Sequence, residues 1–495
     1  MEGRTAPAEL LADVVAPVAI KAARYAEVRN PANFDEVVGA YALCTAAEVN
    51  RITAIAGAAT DAWRSFTATE RADHLRRAAS ALEPERDALA DLLTREQGKV
   101  LWESQLDIAG GIRLLRHYAD MAEEIDREEV VTDDRGTTIV RRMGMGPTAL
   151  IVPWNYPVYL CVMGLAPALM AGNPVVVKPS EFAPLALTRV LRHIAEQLPP
   201  GVLNVVPGTG GEAGAALVAA PEIRKVLFTG GAESGRSVLR GASDRFKSVS
   251  LELGGNDPAL VLESASLDDT TMREIRRAVF ACSGQVCFNI KRIYVHQSKY
   301  SEFVDKFSSA VDEIVVGDGT DTRSTIGPLN NEKQYRSVGQ LIEQTARSSV
   351  VKTLGTKADA DTWDRGYFTL PSVVTGASQD SPIVQGEQFG PLVPVLSFAD
   401  EDEAVRLAND TEFGLAASVW TADPAHGLDL ARRVEAGSVF VNNHRVGSSD
   451  QTMPFGGMKQ SGLGRNHGMW AIEECSELQA ISHRPDTSAF PGAPP

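Results

Sequence analysis

One thiol and one carboxylate in this chain have settings that suit covalent chemistry. Cys287 follows a flexible glycine in GQVC at 284–287, and 35 residues earlier Glu252 closes a β-prone run among apolar neighbours in LELGGND at 251–257. A thiolate adds to an electrophilic carbon, and a carboxylate withdrawn from water works as a base, so the two can form a nucleophile and base pair. A buried cysteine is more often inert packing, and Cys44, Cys161, Cys282 and Cys475 are thiols too. The five are too scattered for a disulfide framework and none has a CxxC or Cys/His metal spacing, so reduced thiols and no metal are expected.

Three other stretches carry groups for holding a ligand. Val152, Pro153, Trp154 and Asn155 follow the strand-like TALIV, where open α/β sheets place ligands, although a packed junction with a capping Asn reads equally well. VVVKPSE puts Lys178, Ser180 and Glu181 one unit further along; a cation and a carboxylate there suit ribose hydroxyls, or else form a solvated turn. The dinucleotide fingerprint GxGxxG is absent after the first strand. Glycine-rich turns occur instead at PGTGGEAG (207–214, with Gly211) and FTGGAESG (228–235, with Phe228, Gly230 and Gly231), each ahead of a helix whose free amides can meet phosphate.

The elements needed to position these residues follow from periodicity. Residues 46 to 125 read as a helical layer, with a Thr67-x-x-Glu70 capping box ahead of Leu75, Ala78, Ala79 and Leu82 at helical spacing. From 148 to 251, five short β-rich runs alternate with stretches long enough for crossover helices, which predicts a doubly wound parallel sheet. A second alternation follows, with strands at 258–262 and 292–296, a helix near 268–281, and GSVFV at 437–441, so a second α/β domain is expected. Glu128 to Arg142 is an acidic, β-prone piece, and HRPDTSAFPGAPP reads as a loose tail.

At 495 residues the chain is long enough for two or three domains. Its 48 Lys and Arg against 64 Asp and Glu leave a net charge of -16, which repels nucleic acid and anionic membrane surfaces. No apolar stretch reaches the roughly 20 residues of a spanning helix, and MEGRTAPAELLADVV lacks the basic and apolar regions of a signal peptide, so a cytoplasmic protein with neither membrane nor nucleic-acid partner is expected.

In this order, PWNYP, KPSE, FTGG, LELGG, GQVC, EQFGP (387–391) and PFGGMKQSGLGR (454–465) closely resemble the aldehyde dehydrogenase superfamily, from about Arg29 to Ser482. The resemblance implies an α/β aldehyde dehydrogenase-like fold: two doubly wound parallel-sheet domains plus a β oligomerisation arm. Residues 1–127 and 143–255 would form the NAD(P)-binding domain, 256–442 the catalytic domain, and 128–142 with 443–495 the arm and C-terminal segment of a homodimer or homotetramer. It makes Cys287 the nucleophile, Glu252 the general base, Asn155 the side-chain half of an oxyanion hole, and Lys178 a ribose-binding residue beside the reaction centre. Glu387 and Phe389 would hold the nicotinamide ribose and ring, with Val152, Trp154, Leu253 and the residues of the two glycine-rich turns completing the cofactor set.

The implied reaction oxidises an aldehyde to a carboxylic acid through a cysteine thiohemiacetal and a thioester. Relatives that pass the acyl group to coenzyme A lack a glutamate at the Glu252 position, so hydrolysis is expected. Glu181 can accept from both ribose hydroxyls and repel a 2′-phosphate, which favours NAD, with NADP possible through Ser180 and Lys178. The chain departs from the family pattern in several places. FTGS reads FTGG at Gly231, LELGGK reads LELGGN at Asn256, Cys282 replaces an asparagine, and one extra residue separates Glu252 from Cys287. Asn466 also replaces a glutamate that serves as an auxiliary proton acceptor, which places more of that role on Glu252.

By correspondence, the aldehyde tunnel is lined by Tyr156, Tyr159, Leu160, Met163, Val286, Phe288, Met453 and Phe455, which suits medium-length aliphatic or aromatic aldehydes. Arg445, if turned inward from the loop 442–452, would pair with a carboxylate and select a semialdehyde such as succinate semialdehyde. A noncatalytic descendant of the fold and a non-redox thiol esterase are the alternatives from other classes. The Cys287, Glu252 and Asn155 set disfavours the first, and Lys178, Glu181, Glu387 and Phe389 disfavour the second.

Overall fold

The computed structural model describes residues 11–18, 22–134, 136–444 and 450–483. The helical layer consists of Ala46–Arg64, Ala68–Leu82, Arg86–Gln97 and Leu101–Asp120, followed by the short turn Ala122–Ile125. Thr67 and Glu70 make the expected capping box, and Thr45 with Glu48 makes another at the first helix. Leu75, Ala78, Ala79 and Leu82 all face the core. The helix Leu101–Asp120 lies against Pro157–Met170, and its glycines set the approach. A Cβ on Gly110 would sit 2.7 Å from the Tyr159 ring, and one on Gly111 would sit 2.9 Å from Val158.

The first sheet runs Gly462–Leu463, Ser248–Glu252, Lys225–Thr229, Thr148–Ile151, Val175–Lys178, Leu203–Val205. All neighbours are parallel except Gly462–Leu463, which pairs antiparallel with Leu251 and Glu252. Chain order reverses between Thr148–Ile151 and Lys225–Thr229. Val152–Asn155 and Gly230–Gly231 therefore emerge at a topological switch point, the crevice where such sheets bind ligands.

The second sheet runs Val350–Thr353, Ser372–Thr375, Leu392–Phe398, Ile290–His296, Asp257–Val261, Ala416–Trp420, Ser438–Val441, with only its first pair antiparallel. Its Asp257 strand begins five residues after Glu252, so the two sheets meet at the LELGGND turn. Each sheet is covered by its own buried apolar clusters. The β-prone piece becomes Glu129–Asp133 and Gly136–Gly144, and Ser476–His483 joins it as a third antiparallel strand. Val130, Val131 and Leu478 stand exposed on this arm. Among the described residues no helix is long and apolar enough to cross a membrane.

Candidate active site

After the helix Asp269–Phe280, the chain turns through three consecutive left-handed residues, Cys282 (φ 49), Ser283 (φ 56) and Gly284 (φ 78). A Cβ on Gly284 would fall 2.1 Å from the Gly390 carbonyl oxygen, so only glycine fits there. The turn is pinned from several sides. The Cys282 N–H donates to Glu103 Oε1 at 2.7 Å, Ser283 Oγ to the Gly327 carbonyl at 2.7 Å, and Lys291 Nζ to the Gly284 carbonyl at 2.7 Å. These bonds hold two non-glycine residues in a conformation that costs about 1–3 kcal/mol each. Beyond the turn, Cys287 is half-buried, whereas the other four cysteines are buried. Burial pushes its thiol up, and the carboxyls of Glu387 and Glu252 add to the shift while Lys291 opposes it. These shifts favour the thiol over the thiolate in the free site.

Glu252 ends its strand in the same cleft as Cys287 and is buried. Its Oε1 accepts from Asn466 Nδ2 at 2.8 Å, and among the described residues none donates a hydrogen bond to Oε2. Burial pushes the carboxyl up to about 8, with the Asn466 bond and Arg465 pulling down and Glu474 pushing up. A carboxyl in that range is a base matched to mildly alkaline pH.

Asn155 donates one amide hydrogen of Nδ2 to the Gln285 carbonyl at 2.9 Å, which leaves its second hydrogen for the cavity it lines. Its backbone carbonyl accepts from Lys99 Nζ at 2.9 Å, and Lys99 also bonds Asp107 at 2.7 Å, both side chains fully buried. Asp107 in turn accepts from the Tyr159 N–H at 2.6 Å, and Lys99 lies 4.0 Å over the Tyr156 ring. This ion pair braces the whole segment from Asn155 to Tyr159. Lys99 and Asp107 were missed from the sequence because nothing in their spacing sets them apart from solvent-facing charges.

Two cavities meet at these residues. The first, mostly apolar, is lined by Leu106, Asp107, Asn155, Tyr156, Tyr159, Leu160, Met163, Val286, Cys287, Phe288, Phe455 and His467. It gathers seven of the expected tunnel residues. Met453 lies instead in an adjoining outer pocket with Phe440 and Phe455 and is 57% exposed. Arg445 lies outside the described residues. His467 was not expected; it holds φ 67 and places Nε2 3.3 Å from the Tyr159 hydroxyl. No local motif announces it, since its place depends on how the last helix docks.

The second cavity contains Trp154, Gly230, Gly231, Leu253, Glu387 and Phe389 together with Asn155, Glu252 and Cys287. Trp154 and Phe389 meet edge to face at 5.6 Å. Glu387 Oε1 accepts from the Gly255 N–H at 3.2 Å, and a Cβ on Gly254 would lie 2.3 Å from its Oε2. Burial pushes Glu387 up to about 7, opposed by Lys291 and the Gly255 bond. The helix Ala232–Ser243 opens at Gly231 without a side-chain cap, and a Cβ at Gly231 would meet nothing within 4 Å, so free amides face open space. Lys178, Ser180, Glu181 and Gly211 do not line this cavity. They form a neighbouring cluster in which Lys178 Nζ lies 3.3 Å from Glu181 and the Gly210 N–H points at Glu181 at 3.5 Å; Gly211 is open, and Ser180 Oγ accepts from the Phe182 N–H. Val152 and Phe228 pack their side chains into the core and offer a ligand only backbone. The departure at Asn256 is structural: its Nδ2 donates to the Val384 carbonyl at 2.7 Å. Among the described residues no cluster of His, Cys, Asp or Glu could hold a metal.

The aldehyde dehydrogenase family pattern matches residues 19–481. A geranial dehydrogenase from Castellaniella defragrans is 37% identical over 469 residues, 94% of this chain and 96% of that protein. The crystal structure of betaine aldehyde dehydrogenase from Staphylococcus aureus in complex with NAD+ superposes with a TM-score of 0.90 at 29% identity, covering 96% of this chain and 95% of that one. An NADP-dependent enzyme from E. coli gives 0.91 at 32%, covering 96% and 98%. With its fold, its site and these likenesses in agreement, the chain belongs to the aldehyde dehydrogenase family.

Proposed function

We propose that this chain oxidises apolar, medium-length aliphatic or aromatic aldehydes to carboxylic acids, using Cys287 as nucleophile and Glu252 as base. The observation that carries the reading is that the two cavities share Asn155, Leu160 and Cys287, so a substrate from the aromatic side and a dinucleotide from the polar side converge on one thiol. The first sheet with its helices carries the cofactor, the second supplies the nucleophile loop, and the three-stranded arm joins subunits into a homodimer or homotetramer.

The fit for NAD(P) rests on the uncapped helix at Gly231, the Trp154–Phe389 pair, and Glu387 held over Gly254 and Gly255. A bound nicotinamide would supply the hydride acceptor for the carbon attached to Cys287. The protein does the rest. The Cys287 thiol releases its proton to solvent, sulfur adds to the carbonyl carbon, and the oxyanion is met by the free Asn155 amide hydrogen and the Cys287 N–H, which leaves Glu252 unprotonated for the hydrolytic half. After hydride loss leaves a thioester, Glu252 takes a proton from water, hydroxide adds to the acyl carbon, and the carbon–sulfur bond breaks to release the acid. Lys178 and Glu181 would hold the adenosine ribose, and the Glu181 charge would favour NAD over a 2′-phosphate.

The described lining of the tunnel contains no Lys or Arg, and burial pushes its one histidine, His467, down to about 4, so the wall is uncharged toward a substrate carboxylate apart from Asp107. This favours apolar aldehydes over semialdehydes, in keeping with the likeness to a geranial dehydrogenase. The test is absorbance at 340 nm with NAD and with NADP against benzaldehyde, hexanal, geranial, betaine aldehyde and succinate semialdehyde, with Cys287→Ala as control. Turnover of the apolar aldehydes, lost in the control, is expected. No cofactor reduction with any aldehyde would overturn the reading, and a preference for the semialdehyde would move attention to Arg445.

A further inference from the structure

Glu252 is held by an amide side chain, that of Asn466. Asn466 sits opposite Phe455 in an isolated antiparallel bridge, its N–H donating to the Phe455 carbonyl at 2.7 Å and its carbonyl accepting from the Phe455 N–H at 2.9 Å. The backbone thus fixes the amide side chain independently of what that side chain does. Nδ2 then reaches Glu252 Oε1 at 2.8 Å in a buried setting. Gly456, next to Phe455, crowds the same oxygen, since a Cβ there would lie 3.0 Å from it. Oε2 has no donor among the described residues.

We infer that Asn466 is a positioning residue for the base: its amide pins Oε1 of Glu252 and reserves Oε2 for the proton taken from water. The inference rests on the reading of Glu252 as general base given above. An amide donor stabilises the carboxylate and cannot titrate, whereas a second carboxyl at this distance would share a proton with Glu252. The charged groups around Glu252 are Arg465 beside Asn466, Glu474 on the helix Gly468–Glu474, and Cys287 across the cleft. Arg465 opposes protonation, Glu474 promotes it, and losing the amide removes one of the two forces that favour the carboxylate.

The sign follows. Without the Asn466 donor the Glu252 carboxyl holds its proton to higher pH, so thioester hydrolysis starts later on the alkaline side. The experiment compares wild type, Asn466→Ala and Asn466→Asp with NAD and benzaldehyde, recording the pre-steady-state NADH burst and the steady-state rate from pH 6 to 10. Asn466→Ala should keep the burst amplitude, lose roughly tenfold or more of the steady-state rate near pH 7, recover toward wild type at high pH, and move the acid limb up by about one unit. Asn466→Asp should move it further. A limb that stays in place in both variants overturns the inference, as does a parallel loss of burst and steady state at every pH. Wild-type protein that reduces no cofactor overturns the parent reading and this one together, whereas turnover with an unmoved limb overturns this one alone.

Discussion

Cys287 and Glu252 oppose each other's ionisation, and that antagonism sets the pH behaviour of the site. Burial pushes the thiol up and the carboxyl up to about 8. As the proposed base, Glu252 accepts a proton only in its ionised form, so kcat should rise with pH through about 8. Glu252→Gln should abolish that rise and leave a burst of NADH followed by slow turnover. Asn155→Ala removes the proposed donor to the oxyanion, and kcat should drop on the order of 10²- to 10³-fold, with the variant's thermal midpoint checked to separate chemistry from folding. Cys287, Glu252 and Asn155 were legible in the sequence because each sits in a short motif at a strand end or after a glycine. The Lys99–Asp107 brace and the Glu252–Asn466 bond were not legible, since their partners are 8 and 214 residues apart and lie in segments whose own patterns look ordinary.

Two elements position the chemistry, and each has a breaking point. The left-handed turn 282–284 aims Cys287, and Gly284→Ala would force a methyl into the Gly390 carbonyl. This variant should lose the thiol's reactivity toward iodoacetamide along with turnover. The loop at Asn155 depends on a fully buried ion pair. Removing one partner strands the other, so Asp107→Asn or Lys99→Met should destabilise the protein by about 3–5 kcal/mol, read by denaturant unfolding. The helical layer, both parallel sheets and the Thr67 cap followed from period and capping chemistry. The antiparallel strand Gly462–Leu463 did not, because two residues carry no period and its glycine reads as punctuation.

Across the whole molecule, burial is extensive enough to hold carboxyls protonated in the native state. Glu103, beneath the nucleophile turn, is pushed up to about 7 by burial, with the Cys282 N–H and Lys99 opposing. Its folded value exceeds the ordinary 4.5 of a glutamic acid, so the native protein keeps a proton the unfolded chain has released, and this contribution to stability is lost as pH rises from about 4.5 through 7. Glu103→Gln keeps an acceptor for Cys282 and has no proton to lose. Its thermal midpoint should depend less on pH between 5 and 8 than the wild type's, by the equivalent of about 3 kcal/mol. Equal slopes would count against a protonated Glu103. The arm was legible only in its first part, because Ser476–His483 pairs with a strand more than 330 residues upstream.

The order in which these pieces leave the ribosome gives the Asn466 bond another meaning. Glu252, Leu251 and their sheet are synthesised 214 residues before the asparagine that grips the carboxylate, and at common elongation rates that is a delay on the order of 10–40 s. During that interval the edge of the first sheet that Gly462–Leu463 later covers stands open beside the base. The C-terminal segment is therefore a late clasp, and a nascent chain halted before it would hold a formed dinucleotide crevice next to an unpaired strand edge, a template for aggregation that the finished protein removes.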